Sequence, residues 1–242
     1  MKKKYKLTEE SVVINGKFLH RIEALRDFGD VKKGDKGGFI EKEENLSQYG
    51  DCWAYDNAMV YDNAMVHDDA KVYDNAKVFG DAQVYNNAEV FGKTMVYNYV
   101  KVCGNAKVYE SARIYGNAKL RGNAKVYGDT VVCDNARVCM DAEVYGKAIV
   151  LDNARIFDNA KIYGDTVVCG NAEVYGDAEV YGNAEAYGNA EIYGNAEVYE
   201  NAKVCGNAEV YGYTRIYDNA TVYGNAKVYG NTEIYGDVKI SE

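Results

Sequence analysis

The sequence predicts an all-β fold: a three-sided parallel solenoid of hexapeptide repeats, about ten coils long, behind a short N-terminal cap. Three observations carry this reading. From Ala54 onward the chain repeats every six residues without insertion or deletion, as in Val174-Tyr175-Gly176-Asp177-Ala178-Glu179. Every eighteenth residue from Tyr55 through Tyr235 is aromatic, which is what three strands per coil would produce. The 242 residues include no proline, and Gly, Asn, Ala, Val and Tyr abound, so a repeat is the first thing to seek.

Each unit reads small, variable, aliphatic, aromatic, then two turn residues. Positions divisible by six are aliphatic from Val60 to Ile240, with Ala54 and Ala186 as small exceptions. Four residues later stands a small residue, nearly always Ala, with Thr at Thr94, Thr130, Thr166, Thr214 and Thr232. Side chains alternate across a strand, so Ala and Val point one way while the variable residue and Tyr point the other. Gly-Asn, Asp-Asn or Gly-Asp follows, and these residues accept tight corners and positive φ. Every six residues therefore make a short strand and a corner, with Ala and Val facing the axis. A core this narrow packs tightly and encloses no ligand. Binding falls to a face, an end, or a contact between protomers.

Residues 1–50 break the rhythm and are expected to form a cap, with the repeat domain over 51–242. Leu25, Phe28, Val31, Phe39, Ile40 and Leu46 are its expected buried residues. Phase returns near Leu46, and Tyr49-Gly50-Asp51-Cys52 is a variant unit. A solenoid needs such a segment to cover the backbone and apolar end of its first rung. The stretch GGFIEKEENLSQ is the least repetitive of all, and Glu41, Glu43 and Glu44 could instead make it a functional site.

These units resemble the hexapeptide repeat of left-handed β-helix proteins, in which aliphatic and small residues alternate inside a triangular prism. The resemblance covers about four fifths of the chain and implies a left-handed, single-stranded coil. Gly37 to Ala58, GGFIEKEENLSQYGDCWAYDNA, also resembles a bacterial and phage group of hexapeptide proteins that carry an acyltransferase label. One departure is Tyr after the aliphatic residue, where acyltransferase repeats often have Gly, Ala or an acid. Enzymes of this kind generally use a His base and a loop or neighbouring coil to hold acyl-CoA. Only His20 and His67 are available, and no loop interrupts the coils. His67 replaces Tyr in an outward position and is the weak enzyme candidate. A base needs a positioned partner and a pocket, and no catalytic residue is assigned.

No metal site or cofactor is implied. Five of the six cysteines, Cys103, Cys133, Cys139, Cys169 and Cys205, take the outward Tyr position, and Cys52 points inward. Their spacing is not that of paired zinc ligands. Cys133, Cys169 and Cys205 share a face two coils apart, too far for disulfides. The net charge of −9 disfavours nucleic acid and anionic membrane. No long apolar run or secretion signal is evident, so a soluble cytoplasmic protein is expected.

The sharpest surface feature is a loss of charge. On the face carrying Tyr61 and Tyr97 the variable position becomes Val131, Ile149 and Val167, while the Tyr position holds Cys133, Leu151 and Cys169. Three successive rungs are expected to expose an apolar block of the kind that marks an interaction site. The preferred reading is a non-catalytic scaffold that binds protein or itself, most simply as a homo-oligomer. One alternative is an acyltransferase-like enzyme with its site between protomers. Another is a phage-type inhibitor or host-factor mimic that acts through the acidic late rungs, Glu173, Glu179, Glu185, Glu191, Glu197 and Glu209.

Overall fold

The computed structural model describes residues 3–242. It divides into two compact units, Met1–Asn117 and Ala118–Glu242, and both are β-solenoid. No α-helix occurs among the described residues.

The first unit opens with an antiparallel hairpin, β1 (Tyr5–Ile14) and β2 (Lys17–Ala24). Its turn is Asn15-Gly16, both residues at positive φ, the conformation that matches the twist of paired strands. β2 pairs antiparallel with β3 (Lys36–Ile40), and β3 pairs parallel with Met59–Val60. The hairpin therefore lies along the edge of the first rung. Gly37 and Gly38 make the approach feasible. A Cβ on Gly37 would stand 2.5 Å from the Ala54 carbonyl oxygen, and one on Gly38 would stand 2.4 Å from that of Ala58.

Beyond β3 the chain forms two-residue strands on three sides. In the first unit these are Met59–Val60, Lys77–Val78, Met95–Val96 and Arg113–Ile114 on one side. Trp53–Ala54, Lys71–Val72, Glu89–Val90 and Lys107–Val108 form the second, and Met65–Val66, Gln83–Val84 and Lys101–Val102 the third. The second unit has seven such strands per side. Partners are parallel and eighteen residues apart, as Val131 with Ile149 and Ile149 with Val167.

The first coil is longer by two residues. Ile40 pairs with Val60 and Leu46 bridges to Val66, twenty residues on, whereas Ala54 pairs with Val72, eighteen on. The extra residues lie between Leu46 and Trp53, and their carbonyls leave the ladder. The fully buried Lys4 meets them: its amine donates to the carbonyls of Cys52 at 2.9 Å, Gly50 at 3.3 Å and Tyr49 at 3.5 Å. Burial lowers the Lys4 pKa, and those oxygens satisfy the amine that a dry site would otherwise leave costly.

Each hexad accounts for its backbone donors. Lys161, Tyr163 and Asp165 donate their N–H groups to the carbonyls of Ala178, Val180 and Gly182 on the next rung, and Ala160 donates back to Phe157 across its corner. The residue after the outward Tyr-type position of each hexad is left-handed. It is usually Gly, but Asp158 (φ 58), Met140 (φ 61) and Glu200 (φ 56) take the same place. An Asp there adds a bond: Asp152, Asp158 and Asp218 accept the N–H of Gly170, Gly176 and Gly236 one rung on.

The core is the predicted double row. Ala118, Ala136, Ala154, Val132, Val150 and Val168 are fully buried, and the pattern repeats on every internal rung. Of the expected N-terminal core, Phe28, Val31, Phe39, Ile40 and Leu46 are buried. Leu25 is not; it is 36% exposed. Ala24 already faces inward at the end of β2, so period two turns the next side chain to solvent.

Candidate functional site

The apolar block lies wholly within the second unit. Val131, Ile149 and Val167 stand in register on adjacent strands, and Glu185 ends the run. Ile149 is exposed, while Val131, Leu151, Val167 and Cys169 are half-buried. Cys133 departs from the expectation of an exposed thiol, being only 6% exposed. A short side chain in a column dimensioned for tyrosine leaves little surface. Cys139 and Cys205 are likewise buried, whereas Cys103 and Cys169 at equivalent positions are half-buried. The block's surface therefore comes from two branched columns, Val131-Ile149-Val167 and Leu151-Cys169. Its chemistry is that of a dry contact: these side chains carry no charge, and beside the weakly polar Cys169 thiol they offer only hydrocarbon.

His67 points outward, one third exposed. Its ring stacks on Tyr85 at 5.0 Å, and its Nδ1 lies 3.3 Å from Asp68 Oδ1. The imidazole helps to hold the Asp68 carboxyl below the usual range. A His–Asp pair resembles half of a general-base arrangement, yet the ring here is a member of an aromatic stack. None of the six cysteines forms a disulfide. Among the described residues no group of three His, Cys, Asp or Glu side chains converges as a metal site. No helix among them is long and apolar enough to cross a membrane.

The tyrosine columns stack face to face. Tyr127-Tyr145-Tyr163-Tyr181-Tyr199 runs at 4.8–4.9 Å with rings within 4° of parallel. Hydroxyls of Tyr163, Tyr175 and Tyr181 donate to Glu179, Glu191 and Glu197. Burial and these carboxylates push the phenols above their ordinary range.

The acidic late rungs are not a bare stripe. Glu173 pairs with Arg155, Glu179 with Lys161, Glu185 with Lys203, Glu197 with Arg215 and Glu209 with Lys227. These surface pairs offset only part of the acidity, since residues 173–242 carry 12 acidic and 4 basic side chains.

The N-terminal segment builds features that the repeat does not announce. Trp53 occupies an outward position yet is 1% exposed, because Tyr5 and Phe28 pack edge-on against it at 5.9 and 5.3 Å. Beside it lies a cleft of about 300 Å³ lined by Asp30, Tyr55, Asp56, Lys71, Tyr73 and Glu89. Asp30 accepts from the Tyr55 hydroxyl at 2.7 Å and from Lys71 at 3.0 Å, and these bonds hold it below the usual carboxyl range. Tyr55 meets Tyr73 edge-on at 6.3 Å, so the stack loosens there. His67 does not line this cleft. Glu41 and Glu43 turn apart, to Lys17 and Lys3 respectively. The hairpin also exposes Val13 and Phe18. Its signal was present in Asn15-Gly16 between alternating apolar residues, a strong hairpin pattern. Asp30 lies in a stretch with no such signal.

With this geometry in view, two likenesses gain meaning. The sequence profile of the family described as "YdcK Beta solenoid repeat" matches residues 214–230. The chain is also 39% identical over 62 residues to the "Uncharacterized acetyltransferase YdcK" of Escherichia coli (strain K12). That alignment covers 22% of this chain and 19% of the relative, so the chain matches about a fifth of the relative's length. The chain is thus similar to a β-solenoid repeat and to a protein that carries an acetyltransferase name.

Proposed function

We propose that this chain is a non-catalytic β-solenoid that binds protein, in the first place a second copy of itself, through the apolar block centred on Leu151. One observation carries the reading. In the second unit the outward strand position is charged on every rung except Thr221 and the three successive in-register rungs Val131, Ile149 and Val167. A continuous apolar strip on an otherwise charged surface gains free energy when covered. A flat strip also suits an isologous contact in which the same surface meets itself. The test is light scattering beside circular dichroism. Ile149→Lys with Leu151→Glu should give a folded monomer, since both side chains lie outside the core. A wild-type monomer at micromolar concentration, or a double variant that keeps its assembly state, overturns the reading.

The second reading is an acyltransferase with a site between protomers. It is favoured by the name of the E. coli relative and by the His67–Asp68 pair. The scaffold reading expects no acetyl transfer from acetyl-CoA. Turnover that disappears in His67→Ala would replace the first reading with the second.

A further inference from the structure

A different side of the second unit carries an ordered charge pattern. Its outward strand residues run Lys119, Arg137, Arg155, Glu173, Glu191, Glu209, each in register with the next. Three cations are followed by three anions. In-register side chains on neighbouring strands are about 4.8 Å apart, and like charges so placed repel. The fold does not force this. One side over, Lys125, Glu143, Lys161 and Glu179 alternate in sign and form ion pairs. On the segregated side only the boundary pair, Arg155 with Glu173, closes within the run, and Glu209 turns to Lys227 beyond it. Arg137 is exposed between two cations, and among the described residues it has no carboxylate at ion-pair distance. The Glu191 carboxylate accepts from the Tyr175 hydroxyl at 3.2 Å, and among the described residues no cation stands at ion-pair distance from it.

We infer that this side receives a second copy of the chain in antiparallel orientation, about a two-fold axis between Arg155 and Glu173. Such a rotation reverses the order of rungs. It sets Arg155 against Glu173 of the second copy, Arg137 against its Glu191, and Lys119 against its Glu209. Each contact occurs twice, as an isologous interface requires. A parallel arrangement would set like against like on every rung. There is room for the incoming carboxylates in a groove of about 340 Å³ lined by Asn135, Arg137, Asn153, Arg155, Asn171 and Glu173. This surface is separate from the apolar block, which occupies another side of the coil, so the two contacts can be removed one at a time.

The experiment is a charge swap on the full chain, followed by sedimentation velocity at low salt and by native mass spectrometry. Arg137→Glu alone sets glutamate against Glu191, and Glu191→Arg alone sets arginine against Arg137. Each should weaken self-association by about tenfold or more, with circular dichroism unchanged. The double variant should recover it. An equimolar mixture of the two single variants should form heterodimers in preference to either homodimer, because both contacts are then complementary. Added salt should weaken the wild-type contact and the rescued ones alike. Single variants that associate like wild type, a mixture no better than its components, or a wild type monomeric at low salt would each overturn the proposal. Dissociation by Ile149→Lys with Leu151→Glu, alongside insensitivity to the swap, would leave the apolar reading standing and remove this one.

Discussion

Ala136 is a direct probe of the solenoid's interior. It is fully buried, and the equivalent residues one rung away on either side are Ala118 and Ala154, buried as completely. The fold itself shows what this position accepts. Thr130, Thr166 and Thr214 occupy it on other rungs, fully buried, and their hydroxyls donate to the carbonyl three residues back at 2.5, 2.7 and 2.8 Å. Val100 occupies it too. Two heavy atoms beyond Cβ therefore fit, provided they branch at Cβ and stay within the layer. Ala136→Thr should cost less than about 1 kcal/mol, since volume is nearly accommodated and the hydroxyl has a ready acceptor. Leu carries its branch one carbon further, where the facing Val and Ala rows leave no space, and Ala136→Leu should cost about 1–3 kcal/mol. Denaturant unfolding at constant slope gives the difference. Amide exchange should place the loss on the rungs next to residue 136, because a solenoid's stability is close to a sum over neighbours. Thr and Leu variants that unfold at the same denaturant concentration would refute the inward assignment.

Two further outcomes follow from the tyrosine columns and the N-terminal segment. Burial and glutamate partners raise the pKa of Tyr73, Tyr163, Tyr175 and Tyr181, and Tyr85 and Tyr187 are pushed up to about 12 chiefly by their bonds to Cys103 and Cys205. A raised folded-state value contributes stability that is whole below the ordinary phenol pKa of about 10 and lost as pH climbs past it. Phenolate absorbance should therefore lag free tyrosine and then rise together with loss of circular dichroism; independent titration at the ordinary value with the fold intact would contradict the stacking account. Removing residues 1–50 should expose the edge now paired with β3 and uncover Trp53, giving aggregation or mixed register. A uniform truncated protein of equal stability would show that the segment is no cap.

The repeat was legible because two local rules agree on it. Alternation puts Ala136 and Val138 on one side, and the corner residue, usually Gly or Asp, supplies the left-handed conformation that a six-residue turn demands. The aromatic column from Tyr127 to Tyr199 was legible from spacing alone. Trp53 was not, since its phase points outward and only Tyr5 and Phe28, from a segment with no period, enclose it. Lys4 was hidden for a related reason: its partners are carbonyls, which a sequence does not distinguish. The block at Val131, Ile149 and Val167 could be read as a column, but the burial of Cys133 depends on how much of that column its neighbours fill. The segregated charges from Lys119 to Glu209 were visible as letters. They become a pattern only when the eighteen-residue register stacks them.

That register also governs which genetic accidents the molecule survives unchanged. Within the repeat, loss or duplication of eighteen residues removes or adds one whole layer and returns every later side chain to its own column. An event of six or twelve residues keeps the inward rows intact, since Ala still follows Ala and Val follows Val, yet it moves all later outward residues to the next side. The interior is indifferent to such a shift, while the stacked tyrosines, the apolar columns and the ordered charges would be dealt to new neighbours. Selection for folding alone therefore tolerates any multiple of six, and only selection for a surface enforces multiples of eighteen. Among natural variants of this chain, length differences confined to eighteens would be the genetic imprint of a surface in use.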